Sequence, residues 1–127
     1  MKKEIVFTKA APQPIGPYSQ AVRAGNFLFL SGQVPFDPVS GQLETGDIQK
    51  QTRQVLKNIQ AVLQGAGVGL ASVVKTTLFI KDMNNFQAIN EVYKDFFPNE
   101  PPARSCVEVA RLPRDVGVEM EAVAFLE

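Results

Sequence analysis

Histidine is absent from this chain of 127 residues. That absence removes the side chain most used to move protons near neutral pH and empties most of the ligand set for zinc. Acid, base and anion grip must therefore come from carboxylates and arginine, and neither a metal nor another cofactor is expected. A single cysteine, Cys106, cannot form an internal disulfide. Blocks of like charge are missing beyond Lys2-Lys3, and 13 Lys and Arg balance 13 Asp and Glu, so there is no footprint for a nucleic-acid backbone or an anionic membrane. Long apolar runs are missing too. The start, Met-Lys-Lys-Glu, passes straight into alternating residues with no secretory core, and nothing reads as a spanning helix, so the cytoplasm is the expected location. With no break in composition, residues 1–127 read as one domain of ordinary size.

What is present is a clear sequence of elements. Glu4 to Phe7 reads as a short strand, and Gln20–Ala24 and Phe27–Leu30 as a hairpin about Gly25-Asn26. Pro35 to Gly46 is rich in turn residues and leads to Asp47, a helix N-cap, followed by Ile48, Val55, Leu56, Ile59, Val62, Leu63 and Ala66 at helical spacing. The glycines of Gly65-Ala66-Gly67-Val68-Gly69 follow that helix rather than open one, which makes them a helix end and turn and not a phosphate loop. Val73–Lys81 reads as a strand, with Val74, Thr76, Leu78 and Ile80 facing one way and Val73, Thr77 and Phe79 the other. Asn84-Asn85 precedes a second helix whose Phe86, Ile89, Tyr93, Phe96 and Phe97 share a face until Pro98. The order ββ(β)αβαββ implies an α+β fold, a mixed sheet of six strands with two helices on one face. Two helices leave the other face apolar and uncovered, which calls for a homo-oligomer.

Chemistry is sought first near the C-terminus. Ala103–Val109 alternates, with small or apolar odd positions taken as the core face and Arg104, Cys106 and Glu108 as the polar one. Val118–Ala124 alternates again, with Glu119 and Glu121 on one side. With a turn near Pro113 and Arg114, the two runs read as a hairpin that sets Glu108 opposite Glu119 and Arg104 roughly 13 Å along the strand from Glu119. Arg104 and Glu119 then cannot touch one small ligand. Either the register differs, or a second subunit completes the site.

Ile15-Gly16-Pro17-Tyr18-Ser19-Gln20-Ala21, Ser31-Gly32-Gln33, Val74-Lys75-Thr76-Thr77 with Phe79-Ile80-Lys81-Asp82, Pro102–Val109 and Val118–Ala124 together resemble the RidA (YjgF) family of reactive-intermediate deaminases. The likeness spans nearly the whole chain, with several motifs in the right order. It implies a chorismate-mutase-like fold, a homotrimer with clefts between subunits, and cofactor-free hydrolysis of imino and enamino acids. The implied substrates are 2-aminoacrylate and the related 2-iminopropanoate and 2-iminobutanoate, converted to 2-oxo acids and ammonia. On that resemblance Arg104 binds the substrate carboxylate, Glu119 positions water, and Tyr18, Ser31, Gly32, Asn90 and Cys106 line the cleft.

These side chains suit that chemistry. A planar guanidinium can hold a carboxylate bidentately, each charge-assisted bond worth about 1.5–3 kcal/mol. A carboxylate beside an already electrophilic iminium carbon need only orient water and move protons, and a backbone N–H near Gly32 can add a hydrogen bond to the bound carboxylate. Each residue also has a plainer reading. Arg104 could belong to a surface or intersubunit ion pair, Glu119 could be a solvated strand residue with Glu121 as its rival, Cys106 a small buried hydrophobe, and Tyr18 a turn-packing residue. Two other functions remain open: a non-catalytic module binding small carboxylates, of the translation-inhibitor kind, and a chorismate-mutase-like enzyme. The latter wants several cations around a dicarboxylate, and Arg104 has no cationic partner in its own strand.

Overall fold

The computed structural model describes residues 2–127. Six strands form one mixed sheet. They are β1 (Glu4–Val6), β2 (Ala21–Ala24), β3 (Phe27–Gln33), then after a small hairpin β4 (Phe36–Asp37) and β5 (Gln42–Leu43), the strands β6 (Val73–Ile80), β7 (Ala103–Glu108) and β8 (Val118–Phe125). Across the sheet the order is β1-β2-β3-β8-β6-β7, with β6 and β7 parallel and every other neighbouring pair antiparallel. Helices α1 (Ile48–Gly65) and α2 (Phe86–Phe96) pack on one face. This is the expected α+β arrangement.

Local chemistry explains the elements. Asp47 Oδ1 accepts from the Lys50 N–H at 2.9 Å and starts α1, which lays Val55, Leu56, Ile59, Val62 and Leu63 against the sheet. Each aliphatic side chain so buried contributes about 1.5–3 kcal/mol. The helix ends where Gly67 takes φ +81°, a left-handed position suited to glycine, with the Val68 N–H bonded to Leu63 O. One buried polar residue on α1, Asn58, donates to Val34 O and Phe36 O and ties down the loop that leads to β4. No helix among the described residues is long and apolar enough to cross a membrane.

Three expectations are overturned. β7 and β8 are not a hairpin: segment 109–117 carries the chain across β6, so β7 lies parallel to β6 at the sheet edge and β8 lies between β3 and β6. Glu108 is therefore the partner of Ile80 and Glu119 the partner of Phe79, and the two carboxylates never face each other. On β7 the faces are reversed. Arg104 and Cys106 point toward the helices and are half-buried, whereas Ala103, Ser105 and Val107 are exposed on the open face. On β6 an irregularity between Val73 and Lys75 turns Val73 inward and leaves Val74 exposed, the opposite of strict alternation.

The open face is apolar. Phe27, Phe29, Val74, Val107 and Phe125 each stand 40–49% exposed, a patch of the kind that usually marks an interaction surface.

Candidate active site

Arg104 comes from the edge strand β7, yet its guanidinium is held by α2. Its Nη1 donates to Asn90 Oδ1 at 2.7 Å, and its Cζ lies 4.8 Å from the centroid of the Tyr93 ring and 5.4 Å from that of Phe86. Phe86, Asn90 and Tyr93 share one side of α2 at helical spacing, so a single helix face builds the whole cradle. Among the described residues no carboxylate forms an ion pair with Arg104. An arginine held beside two rings and through one N–H keeps other N–H groups for an anion. Cys106 follows two residues along the same face. Burial pushes its thiol above the ordinary range, and the nearby Arg104 only partly opposes that, so it is a poor source of thiolate at neutral pH.

Glu119 belongs to a different cluster. It stands on the open face between the inward-facing Val118 and Met120. Between Leu30 and Gln33 the β3–β8 register shifts: Leu30 pairs with Ala122 and Gln33 with Met120, so Ser31 and Gly32 together oppose one residue. That bulge brings Gly32 under the Glu119 carboxylate. A methyl group built on Gly32 would come within 2.1 Å of Glu119 Oε1, so only glycine permits this approach. Ser31 Oγ donates to Ser19 O at 2.6 Å, and Tyr18 shares a cavity of about 250 Å³ with Gly32, Pro12, Ile15, Val34 and Phe36. Half-burial raises the Glu119 pKa above the usual carboxylate range, and the like charge of Glu121 raises it further. Substituting Gly32→Ala should displace the Glu119 carboxylate and lower turnover by about 10-fold or more, with a readable shift of the carboxylate in a crystal structure of the variant.

The sequence-derived residues thus separate into two groups in one chain. Arg104, Asn90 and Cys106 lie on the helix side of the sheet, while Glu119, Gly32, Ser31 and Tyr18 form the second group. Arg104 is the partner of Thr76 on β6 and Glu119 the partner of Phe79. Two strand spacings and three residues of rise put their Cα atoms about 14 Å apart, with side chains on opposite faces. Arg114 also lines the cavity of Tyr18 and Gly32, but Arg104 and Glu119 themselves cannot meet within one chain. Among the described residues no cluster of His, Cys, Asp and Glu is placed to hold a metal ion.

Sequence reasoning missed Phe86 and Tyr93 as parts of the arginine cradle, because aromatic residues on a helix's apolar face look like core. The available signal was Asn90, a polar residue set among Phe86, Ile89 and Tyr93 on that face.

Comparison with known proteins agrees with the fold and the motifs. The family model described as endoribonuclease L-PSP matches residues 8–126. The chain belongs to the YjgF/RidA family. A RutC family protein of Pyrococcus horikoshii is 57% identical over 125 residues, covering 98% of this chain and 99% of that protein. TdcF of Escherichia coli, provisionally named a reactive intermediate deaminase, is 47% identical over 125 residues, covering 96% of each. The crystal structure of E. coli TdcF with bound serine superposes with a TM-score of 0.93 at 46% identity, covering 98% of this chain and 99% of that one. Membership of this family and the TdcF relative support enzymatic activity in general terms.

Proposed function

We propose that this protein is a cofactor-free deaminase of 2-imino acids, with each active site assembled from two copies of the chain. The observation that carries this reading is the division of the chemistry. One half-site holds a guanidinium with no carboxylate partner among the described residues, and the other holds a half-buried carboxylate whose pKa is raised. β7 is the sheet edge, so Arg104 is open to a neighbour, and the apolar open face that carries Glu119 needs a cover. Three copies arranged in a ring, as the family resemblance implies, would bring Arg104, Asn90 and Cys106 of one chain to Glu119, Gly32, Ser31 and Tyr18 of the next.

In such a site Arg104 takes the substrate carboxylate in a bidentate grip. Water held by Glu119 adds its oxygen to the iminium carbon and gives its proton to the Glu119 carboxylate, forming a carbinolamine. Glu119 returns that proton to the amino nitrogen, the C–N bond breaks, and the remaining hydroxyl becomes the carbonyl as it loses its proton. A 2-oxo acid and ammonium result. An enamine such as 2-aminoacrylate enters after tautomerising to its imine. A carboxyl with a pKa raised toward the working pH suits both transfers, which are worth about 10²- to 10⁴-fold in rate. That TdcF has been crystallised with serine, a small amino acid bearing a carboxylate, supports a site of this size and charge.

The test is a coupled assay in which a dehydratase generates 2-aminoacrylate and ammonia release is followed with and without this protein. Acceleration at substoichiometric protein is expected, and its absence would leave only a carboxylate-binding module. Between the two glutamates the geometry favours Glu119: Glu121 lies across from the Ser31–Gly32 bulge but is exposed, whereas the half-buried Glu119 carboxylate is the group that lies directly over Gly32. Glu121 still acts through charge. Since its carboxylate raises the pKa of Glu119, the acid limb of the pH–rate profile should lie above the ordinary carboxylate range, and Glu121→Gln should move that limb to lower pH.

A further inference from the structure

The Tyr93 side chain touches Arg104 with its ring and the sheet with its hydroxyl. Its ring centroid lies 4.8 Å from Arg104 Cζ, and its hydroxyl oxygen lies 2.7 Å from Thr76 Oγ1. Thr76 is fully buried and is the β6 partner of Arg104 in the parallel register. One tyrosine therefore links the guanidinium to the strand that fixes the arginine's own backbone. Tyr93 belongs to the buried apolar cluster that also holds Leu78, Ile89 and Val92. For stability alone, two apolar side chains of the same shape would serve about as well as a buried hydrogen-bonded pair. The pair's distinctive property is direction.

We propose that Tyr93 is a positioning residue: the Thr76–Tyr93 hydroxyl pair fixes the ring plane on which the Arg104 guanidinium lies, and so sets where its free N–H groups are offered to a substrate carboxylate. This rests on the carboxylate-binding role of Arg104 proposed above. The physical basis is the flexibility of arginine. A long side chain that must be ordered at the moment of binding loses affinity, and one already held against Tyr93, Phe86 and Asn90 has little freedom left to lose. A ring that can tilt gives the guanidinium a family of orientations in place of one. Asn90 and Phe86 constrain the cation from its edge and from a second ring, but in neither case does the holding side chain reach back to the sheet through a buried hydrogen bond.

The experiment compares Tyr93→Phe, Thr76→Val and the double variant with the unsubstituted protein. It measures Kd for 2-oxobutanoate by calorimetry, KM and kcat in the coupled deaminase assay, and the thermal midpoint. Both single variants and the double should raise Kd and KM about 5- to 10-fold with kcat held within about twofold. The double variant, which leaves no hydroxyl without a partner, should recover most of the thermal midpoint lost by the singles but none of the affinity. Thr76→Ser, which keeps the hydroxyl, should bind as the unsubstituted protein does. A double variant with native Kd and KM overturns the proposal, as does a Thr76→Ser variant that binds as poorly as Thr76→Val. Arg104→Ala in the same titration separates the two levels. If Arg104→Ala binds 2-oxobutanoate with native Kd, the carboxylate role fails and the positioning role fails with it. If Arg104→Ala loses binding while the hydroxyl variants keep it, only the role of Tyr93 is lost.

Discussion

Arg104→Ala should lower kcat/KM for 2-iminopropanoate by about 10²- to 10⁴-fold, the loss of two charge-assisted bonds at about 1.5–3 kcal/mol each. Most of the loss should appear in binding, as a higher KM and a higher Kd for 2-oxo acids, because in the proposed site the guanidinium holds the end of the substrate that does not react. The oligomer should persist, since among the described residues Arg104 makes no ion pair and its one side-chain hydrogen-bond partner, Asn90, is part-exposed and can turn to water. Arg104→Lys should recover only part of the activity, because an ammonium supplies charge without the planar fork and cannot lie on the Tyr93 and Phe86 rings in the same way. Steady-state kinetics with chromatographic sizing of each variant checks all of this.

Glu119→Gln should act on the other parameter. Glutamine keeps the shape over Gly32 but can neither accept nor return a proton, so kcat should fall about 10²- to 10³-fold with little change in Kd for 2-oxo acids. The same substitution should stabilise the protein at neutral pH. Burial and Glu121 raise the folded-state pKa of Glu119, so the folded chain binds its proton more tightly than the unfolded chain does. Stability linked to this group is thus present at acid pH and lost as pH rises through the raised pKa. Thermal midpoints should therefore show Glu119→Gln above the unsubstituted protein at pH 7, with the gap closing on acidification below the ordinary carboxylate range. A residue that lowers stability where it stands, yet limits turnover when replaced, is behaving as part of a site.

Much of the architecture is legible in local patterns. The Asp47 cap, the apolar stripe of α1, the Gly67 helix end, the Gly25-Asn26 turn and the alternation of β8 are set by chemistry within a few residues, and all appear in the structure. The errors lie where a local pattern is silent about partners. Alternation marks 103–109 and 118–124 as strands, but it does not say that β6 will be inserted between them; sequential strands often pair, and the link 109–117 between the observed strands is long enough to cross a neighbour. The faces of β7 were misjudged for a related reason. Polar residues at alternate positions suggest a solvent face, but here α2 supplies Asn90 and two aromatic rings that make the inner side hospitable to an arginine. For the site, motif resemblance supplied candidate residues, while their separation into two faces was not legible, because opposite sides of a sheet follow from pairing and register. The Gly32 approach to Glu119 depends on a bulge that no single-residue preference announces.

The claim on which the account turns is that one chain supplies the anion grip and its neighbour the proton-moving acid. Mixing the two inactive variants decides it. Arg104→Ala and Glu119→Gln chains, denatured together in equal amounts and refolded, should regain activity, because a site between an intact arginine and an intact glutamate forms at about one junction in four when copies assemble at random in a ring. The account predicts recovery to about a quarter of the native rate, against traces for either variant refolded alone. A mixture no more active than its two components would contradict it, and would return both residues to a single chain.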